Sequence, residues 1–501
     1  MTHETIPSLL DRTDPDVRAI LGRVLDGQEI SWQEALRLCE TSGVGFQATV
    51  YSADELRRRQ AGDIVTYVIN RNVNFTNVCV KHCGFCAFSR PYRNVEGYFL
   101  PIQEIVRRAR EAADMGATEI CMQAGLPPDM DGNFYVDLTR AVKKAVPDMH
   151  IHAFSPEEVL YGATRSGASI SDYLAVLKEA GLGSLPGTSE EILDQDIRDV
   201  ISPGRITVRQ WIEVITTAHS LGIPTTSTIM YGHIETPVHW VKHMNLLRDI
   251  QHETHGFTEF VPLSMIHQEA PMYHHHLAPR LRPGPSGIEV VKMHAVARLM
   301  LGASIRNIQS SWVKEGPKFA QYLLTAGAND IGGTLINESI STSAGAQYGQ
   351  LVQPRELRRL IRDAGRAPAQ RKTTYELLQV YSSDDDSTVP LDLVDDAGAR
   401  FGSYRQLTGS KEFRFARRPR TRAASCAAQR HSAIAGRRWT ACGQAPQEWP
   451  RVQQPRASWS VGEGSWMDRG RFDQDFPGRK QACQYEGDFK AVCRAWNQRR
   501  Q

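Results

Sequence analysis

Eight short apolar segments alternate with helical stretches along this chain, and that alternation limits the fold more than any other feature of the sequence. The strand-like segments fall at 73–76, 119–123, 150–154, 183–186, 226–230, 258–261, 305–309 and 328–331. Helical spacing fills the gaps, for instance at 171–180, 208–221 and 238–254. Pro101 opens one such stretch, Ile105, Ala109, Ala112 and Ala113 form its apolar face, and Gly116 closes it. Strand–helix alternation implies a parallel sheet with right-handed crossovers. Eight repeats imply an α/β fold of the (β/α)8 TIM-barrel type, in which chemistry gathers at the carboxyl ends of the strands.

Domain limits follow from the same pattern. Residues 1–60 read as an N-terminal helical segment, with capping boxes expected at Ser31/Glu34 and Ser52/Glu55. The barrel is expected over 61–385, a linker over 386–410 and a basic tail over 411–501. The tail carries 19 Lys and Arg against 8 Asp and Glu, while residues 1–410 carry 40 against 48. It holds five of the nine tryptophans and no leucine. Such a segment has no apolar period with which to build a core, so it reads as an unstructured appendage or the product of a frameshift. The mildly acidic remainder argues against a nucleic-acid partner. There is no run of 18 apolar residues and no signal-peptide pattern, so a cytoplasmic protein with no membrane contact is expected.

Three cysteines, Cys79, Cys83 and Cys86, follow the first strand segment with the spacing C-x3-C-x2-C. A cubane [4Fe-4S] cluster ordinarily takes four thiolates, so a run of three leaves one iron open to another ligand. Zinc fits less well, because its sites want four ligands and His82 is too close to Cys83 to share the ion. Cys39 and Cys121 lie inside apolar patterns and read as core residues. The histidines 274–276 sit in a proline-rich stretch and read as a surface loop. Polar groups recur at the other strand segments: Gln123 and Gly125, His150 and His152, Glu191, Tyr231, His233 and Glu235, Ser264, Gln309 and Lys314, Asn329 and Asp330. Each has an ordinary structural explanation, but together they are expected to converge on one mouth.

The cysteine spacing, with aromatic Phe85 before the third cysteine, resembles the radical S-adenosylmethionine superfamily. Further stretches narrow this: 70–77, 96–101, 116–127, 150–156, 230–233, 256–263, 311–314 and 329–334. Over about residues 15–385 the chain resembles the CofH-type 4-hydroxyphenyl transferases of deazaflavin Fo synthesis. The resemblance implies a radical S-adenosylmethionine barrel whose cluster sits on the three cysteines. Phe85, Gln123, Gly125 and Glu191 would contact S-adenosylmethionine. The family motif has an alanine where this chain has Glu190, and Glu191 is carried over as the ribose contact. Tyr231, His233 and Glu235 are the candidate catalytic residues. The implied reaction generates a 5′-deoxyadenosyl radical, breaks the Cα–Cβ bond of L-tyrosine to give 2-iminoacetate, and joins the 4-hydroxybenzyl group to 5-amino-6-(D-ribitylamino)uracil. A CofG-type radical subunit would then close the third ring, and a flavodoxin or ferredoxin would supply electrons. Two rival readings are an aminofutalosine synthase of menaquinone biosynthesis and a non-catalytic iron–sulfur scaffold.

Overall fold

A computed structural model describes residues 5–416, apart from Asp384 and Asp386. Its strands are β1 (Ile64–Val68), β2 (Asn70–Val73), β3 (Glu119–Met122), β4 (His150–Ala153), β5 (Thr225–Tyr231), β6 (Phe257–Ser264), β7 (Asp330–Gly333), β8 (Ala367–Arg371) and β9 (Leu377–Val380). β2, β3 and β4 pair in parallel, as do β5 and β6. Single parallel bridges complete the circuit, His152 with Ser184, Leu185 with Thr225, Phe260 with Ile308 and Gln309 with Asp330. Closure comes from Arg71 bridging Ile336, with Asn72 N–H donating to the Ile336 carbonyl at 2.9 Å and Ile336 N–H to Asn70 at 3.1 Å. The result is the expected eight-stranded parallel barrel, although the fourth and seventh strands shrink to bridges around Ser184–Leu185 and Ile308–Gln309.

The first strand lies earlier than the sequence pattern indicates. It runs through β1 and β2, and residues 74–76 have already left the ladder for the cysteine loop. The helices match their patterns closely: Ile102–Asp114, Ile170–Glu179, Val208–Ser220 and Pro237–Thr254. The Ser31/Glu34 capping box is present, with Glu34 N–H donating to Ser31 Oγ at 3.3 Å and Ser31 N–H to Glu34 Oε2 at 2.8 Å. Ser52/Glu55 is not a cap. It lies inside the continuous helix Gly43–Ala61, where Ala48, Ala53 and Leu56 carry one buried face across the site. Local capping chemistry there loses to a longer apolar stripe.

Two features beyond the eight repeats shape the molecule. β8 pairs in parallel with β1, and β9 folds back antiparallel onto β8. The segment expected as a linker, 386–410, instead contains short helices at Pro390–Leu393, Ala397–Phe401 and Tyr404–Gly409. Phe401 is buried under Arg71, whose guanidinium lies 5.2 Å from its ring centre. Residues 413–415 add an antiparallel edge, with Phe99 N–H donating to the Phe413 carbonyl and Phe415 N–H to Gly97, both at 2.8 Å. The expected unstructured tail lies, beyond residue 416, outside the described residues. Among the described residues no helix is long and apolar enough to cross a membrane.

Candidate functional site

The chain leaves β2 and turns sharply into the cysteine loop, where side chains hold it by its backbone. Asn74 Nδ2 donates to the Gln123 carbonyl at 2.8 Å, and Tyr98 N–H donates to Asn77 Oδ1 at 3.0 Å. Thr76 Oγ1 donates to the Tyr98 carbonyl at 2.6 Å and accepts from Val78 N–H at 3.1 Å. The loop is also stapled to its neighbours: Cys79 N–H to Arg90, Val80 N–H to Leu126 and Gly84 N–H to Ile201, at 3.1, 2.9 and 2.8 Å. Gly125 backs directly onto it, donating its N–H to the Thr76 carbonyl at 2.8 Å. A Cβ at Gly125 would stand 2.4 Å from the Val78 carbonyl oxygen, so only glycine fits this approach.

Cys79, Cys83 and Cys86 are all free thiols. Burial pushes Cys79 up and Cys83 up to about 12, while the nearby Arg205 guanidinium pulls the other way. Cys83 and Cys86 line a cavity of about 400 Å3 with Gly84, Arg90, Glu269 and Ser343. Among the described residues no three His, Cys, Asp or Glu side chains converge as ligands of one metal ion. Reluctant thiols beside a fixed cation fit an anionic group whose irons supply the positive charge needed to ionise them.

Arg205 organises the loop's neighbourhood. It pairs with Glu191 at 2.8 Å, reaches Glu157 at 3.5 Å and stands 6.0 Å from the Phe85 ring centre. Arg198 holds Glu191 from the other side at 3.3 Å and donates to the carbonyls of Ser189, Glu190 and Ile206. Glu191 thus sits beside the cysteine loop. Glu190 turns away, accepting from Thr228 N–H at 2.8 Å and facing His243 at 3.3 Å. Gln123 reaches the same side of the mouth, accepting from Thr188 Oγ1 at 2.8 Å. Glu158 accepts from Ala124 N–H at 3.0 Å and Ser155 N–H at 2.8 Å, and burial raises its pKa to about 7. Sequence reasoning missed Arg198, Arg205, Glu157 and Glu158. Only Glu158 carries a local signal, the Ser-x-x-Glu capping box with Ser155; Arg198, Arg205 and Glu157 have none.

Tyr231, His233 and Glu235 lie together at the end of β5, and protein partners occupy them. Glu235 Oε1 accepts from Gly232 N–H at 2.6 Å, Trp240 Nε1 at 3.0 Å and Arg282 at 2.9 Å. Its Oε2 accepts from His233 N–H at 2.8 Å and lies 3.0 Å from His233 Nδ1. Despite burial, those donors hold the Glu235 carboxyl well below the usual range. The Tyr231 hydroxyl meets Ser264 at 3.3 Å, and its ring packs edge-on to Trp240.

Other polar residues expected at the mouth lie elsewhere. His150 and Asp330 begin their strands, so they belong to the amino end of the barrel. There Arg371 pairs with Asp330 at 2.6 Å, the Tyr375 hydroxyl donates to Glu259 at 2.5 Å, and Gln309 donates to the same oxygen at 2.9 Å. Asn70 donates to Glu119 at 2.9 Å, and Ser184 joins His150 and His152 at 2.8 and 2.7 Å. Asn329 is spent on Arg298 and Ile308 N–H. The turn after β8 plugs this end.

Residues 73–247 match the model of the Radical SAM superfamily, and residues 254–383 match that of the CofH/MqnC C-terminal region. The chain is 50% identical over 362 residues to the 5-amino-6-(D-ribitylamino)uracil–L-tyrosine 4-hydroxyphenyl transferase of Methanothermobacter thermautotrophicus, covering 72% of this chain and 98% of that protein. It is 50% identical over 355 residues to the protein of the same name from Methanocaldococcus jannaschii, covering 70% of this chain and 98% of that one. It is 47% identical to the FO synthase of Mycobacterium tuberculosis over 383 residues, 75% of this chain and 44% of that longer protein. Among solved structures, methylornithine synthase PylB has a TM-score of 0.56 at 17% identity, over 70% of this chain and 97% of that one, a likeness of fold. With half of the aligned positions identical along nearly the whole length of two such proteins, the chain belongs to the family of radical SAM 4-hydroxyphenyl transferases that includes the CofH proteins.

Proposed function

We propose that this chain transfers the 4-hydroxybenzyl group of L-tyrosine to 5-amino-6-(D-ribitylamino)uracil in coenzyme Fo synthesis. The observation that carries the reading is the free cysteine triad held at the mouth of a closed barrel, in a chain half identical to transferases of that name over 98% of their length. Cys79, Cys83 and Cys86 would hold a [4Fe-4S] cluster, and Phe85, Gln123, Gly125 and Glu191 would surround S-adenosylmethionine. When bound, these two groups supply one-electron reduction and hydrogen-atom abstraction.

The protein's part is to hold, orient and exclude water. Asn74, Thr76 and Asn77 fix the cysteine loop, and Gly125 lets the next strand's loop close against it. Arg205 and Arg198 hold Glu191 in place and set a positive charge beside the thiols. Tyr231, His233 and Glu235 position the mouth instead of exchanging protons, since Glu235 ties the end of β5 to Trp240 and Arg282. A separate CofG-type radical subunit would complete the third ring, and a flavodoxin or ferredoxin would deliver electrons. Thiols that must stay reduced support a cytoplasmic location.

The test is anaerobic reconstitution and reduction, then mass spectrometry of the product formed from tyrosine and the ribityl-uracil. A tyrosine-dependent adduct with 2-iminoacetate is expected. Turnover only with the vinyl-ether substrate of aminofutalosine synthase, or an intact cluster that never cleaves S-adenosylmethionine, would overturn the proposal in favour of one of its rivals.

A further inference from the structure

One side chain touches both ends of the cysteine loop. Tyr404 opens the short helix Tyr404–Gly409, whose start Ser403 and Gln406 secure with a reciprocal capping box. Its hydroxyl accepts from Asn77 Nδ2 at 3.4 Å, two residues before Cys79. Its ring centre lies 5.5 Å from that of Phe88, two residues after Cys86. The Tyr98 ring packs edge-on to it at 6.5 Å. Phe88 and Tyr98 are both buried, and Tyr98 also holds the approach to the loop, donating its hydroxyl to the Asn74 carbonyl at 2.7 Å.

The segment bearing Tyr404 is tied down on either side. Before it, Asn337 Nδ2 donates to the carbonyls of Phe401 and Gly402 at 3.3 and 2.9 Å, and Phe401 lies under Arg71. After it, Phe413 and Phe415 pair with Phe99 and Gly97 at 2.8 Å. The helix between these anchors cannot leave the loop without breaking one set of bonds. It stands outside the part of the chain that the two family models match, residues 73–247 and 254–383.

Asn77 connects Tyr404 to the thiols. Its Oδ1 accepts from Tyr98 N–H at 3.0 Å and its carbonyl from Arg90 N–H at 2.7 Å, while the Arg90 carbonyl accepts from Cys79 N–H at 3.1 Å. The ring of Tyr404 matters more here than the hydroxyl. A donor–acceptor distance of 3.4 Å is long for a hydrogen bond, and Asn77 Nδ2 has a second acceptor in the Glu96 carbonyl at 3.1 Å. Tyr404 also lines a cavity of about 210 Å3 with Asn74, Tyr98 and Glu412. Removing the ring would merge its volume with that cavity and open the outer wall of the loop.

We infer that Tyr404 is a positioning residue, which clamps the two ends of the cysteine loop together and so fixes the spacing of Cys79, Cys83 and Cys86. The inference rests on the transferase reading only for what those thiols hold. Losing both ring contacts should raise the population of the opened loop roughly 10-fold or more.

The experiment compares the full chain with Tyr404→Ala, Tyr404→Phe and, as a control on the exposed side of the same helix, Arg405→Ala. Anaerobic release of iron from the reconstituted protein to a ferrous chelator is timed. Alkylation of the metal-free protein by iodoacetamide is then followed at Cys83 and at Cys39 by mass spectrometry. Both thiols are buried, but Cys39 lies in the helix Trp32–Cys39 and reports general loosening. Tyr404→Ala should speed iron release and Cys83 alkylation roughly 10-fold or more and leave Cys39 unchanged. Tyr404→Phe keeps the ring and should stay within about 2-fold of the wild type, as should Arg405→Ala. Should Tyr404→Ala fail to fold, Tyr404→Leu is judged by the same two rates. Unchanged rates, a rise at Cys39 equal to that at Cys83, or a Tyr404→Phe protein as labile as Tyr404→Ala would overturn the inference. A wild type that loads its cluster yet forms no tyrosine adduct would instead overturn the transferase reading and leave the clamp standing.

Discussion

Gly125→Ala is the smallest change that should disable the cysteine loop, because its added methyl has nowhere to go. The new Cβ would stand 2.4 Å from the Val78 oxygen, 2.8 Å from the Val78 carbonyl carbon and 3.2 Å from the carbonyl carbon of Asn77. Ordinary carbon–oxygen contact begins near 3.4 Å, so the strands must separate by about 1 Å. All three obstructing atoms are backbone, and no rotamer change relieves them. The loop cannot simply back away either, since Val80 N–H is bonded to Leu126 on the far side of Gly125 and Cys79 N–H to Arg90. Overpacking of this kind costs about 1–3 kcal/mol. The displacement passes to Cys79, the next residue after Val78, and a 1 Å error in a reacting geometry costs on the order of 100-fold in rate.

The assay is iron and sulfide per chain after reconstitution, together with S-adenosylmethionine cleavage and thermal unfolding. Gly125→Ala should lose iron, fall roughly 100-fold in cleavage and melt a few degrees lower. Gly22→Ala is the control, since nothing lies within 4 Å of its Cβ position in the helix Pro15–Leu25. It should leave iron unchanged and gain about 0.5–1 kcal/mol from reduced chain entropy. Full iron loading and normal cleavage in Gly125→Ala would show that this contact does not set the loop.

Three further outcomes are expected. Cys79→Ala, Cys83→Ala and Cys86→Ala should each abolish cleavage and bound sulfide, whereas Cys39→Ala and Cys121→Ala should retain both; iron analysis with activity decides it. A chain ended after Ala416 should turn over like the full chain, while one ended after Ser410 should melt lower, because it loses two backbone bonds to Gly97 and Phe99 worth about 0.5–1.5 kcal/mol each. His219, held neutral by burial with its pKa lowered to about 3, bonds Thr254 and Thr225 at 2.7 and 2.9 Å. The unfolded chain takes up that proton first, so its stabilisation is complete above about pH 6.5 and is lost as pH falls towards 3, at about 1.4 kcal/mol per unit. Denaturant melts between pH 6.5 and 5 should be flatter for His219→Gln by about 2 kcal/mol, and equal slopes would refute the assignment.

What the sequence made legible was periodic or local. Helices with a clean apolar face were readable almost to the residue, as Val208–Ser220 and Pro237–Thr254 show. The cysteine loop was readable because its three cysteines lie within eight residues of one another. Ser52/Glu55 misled because a capping pattern of four residues cannot report that the apolar face continues through it. Asp330 misled in another way: a polar residue beside a strand segment looks the same at either end of a barrel. The direction is fixed by Arg371, 41 residues later, which no local pattern connects to it. Arg198 and Arg205 were missed for the same reason. Each is one arginine among many until the fold sets it against Glu191 and the cysteine loop.

The two ends of the barrel show why location alone does not identify a working residue. At the amino end, Asp330, Glu259 and Glu119 are matched by Arg371, Tyr375 and Asn70, and a matched polar network in a dry interior fixes one arrangement of the strands. Glu235 at the mouth belongs to that same kind, since Trp240, Arg282 and two backbone donors use its oxygens, which leaves it suited to aligning β5. Among the described residues the cysteine loop differs from both, with three thiols that make no bond to one another. On that argument a group bound at the cysteine loop should stabilise the chain more than one bound at any site whose polar groups already have partners.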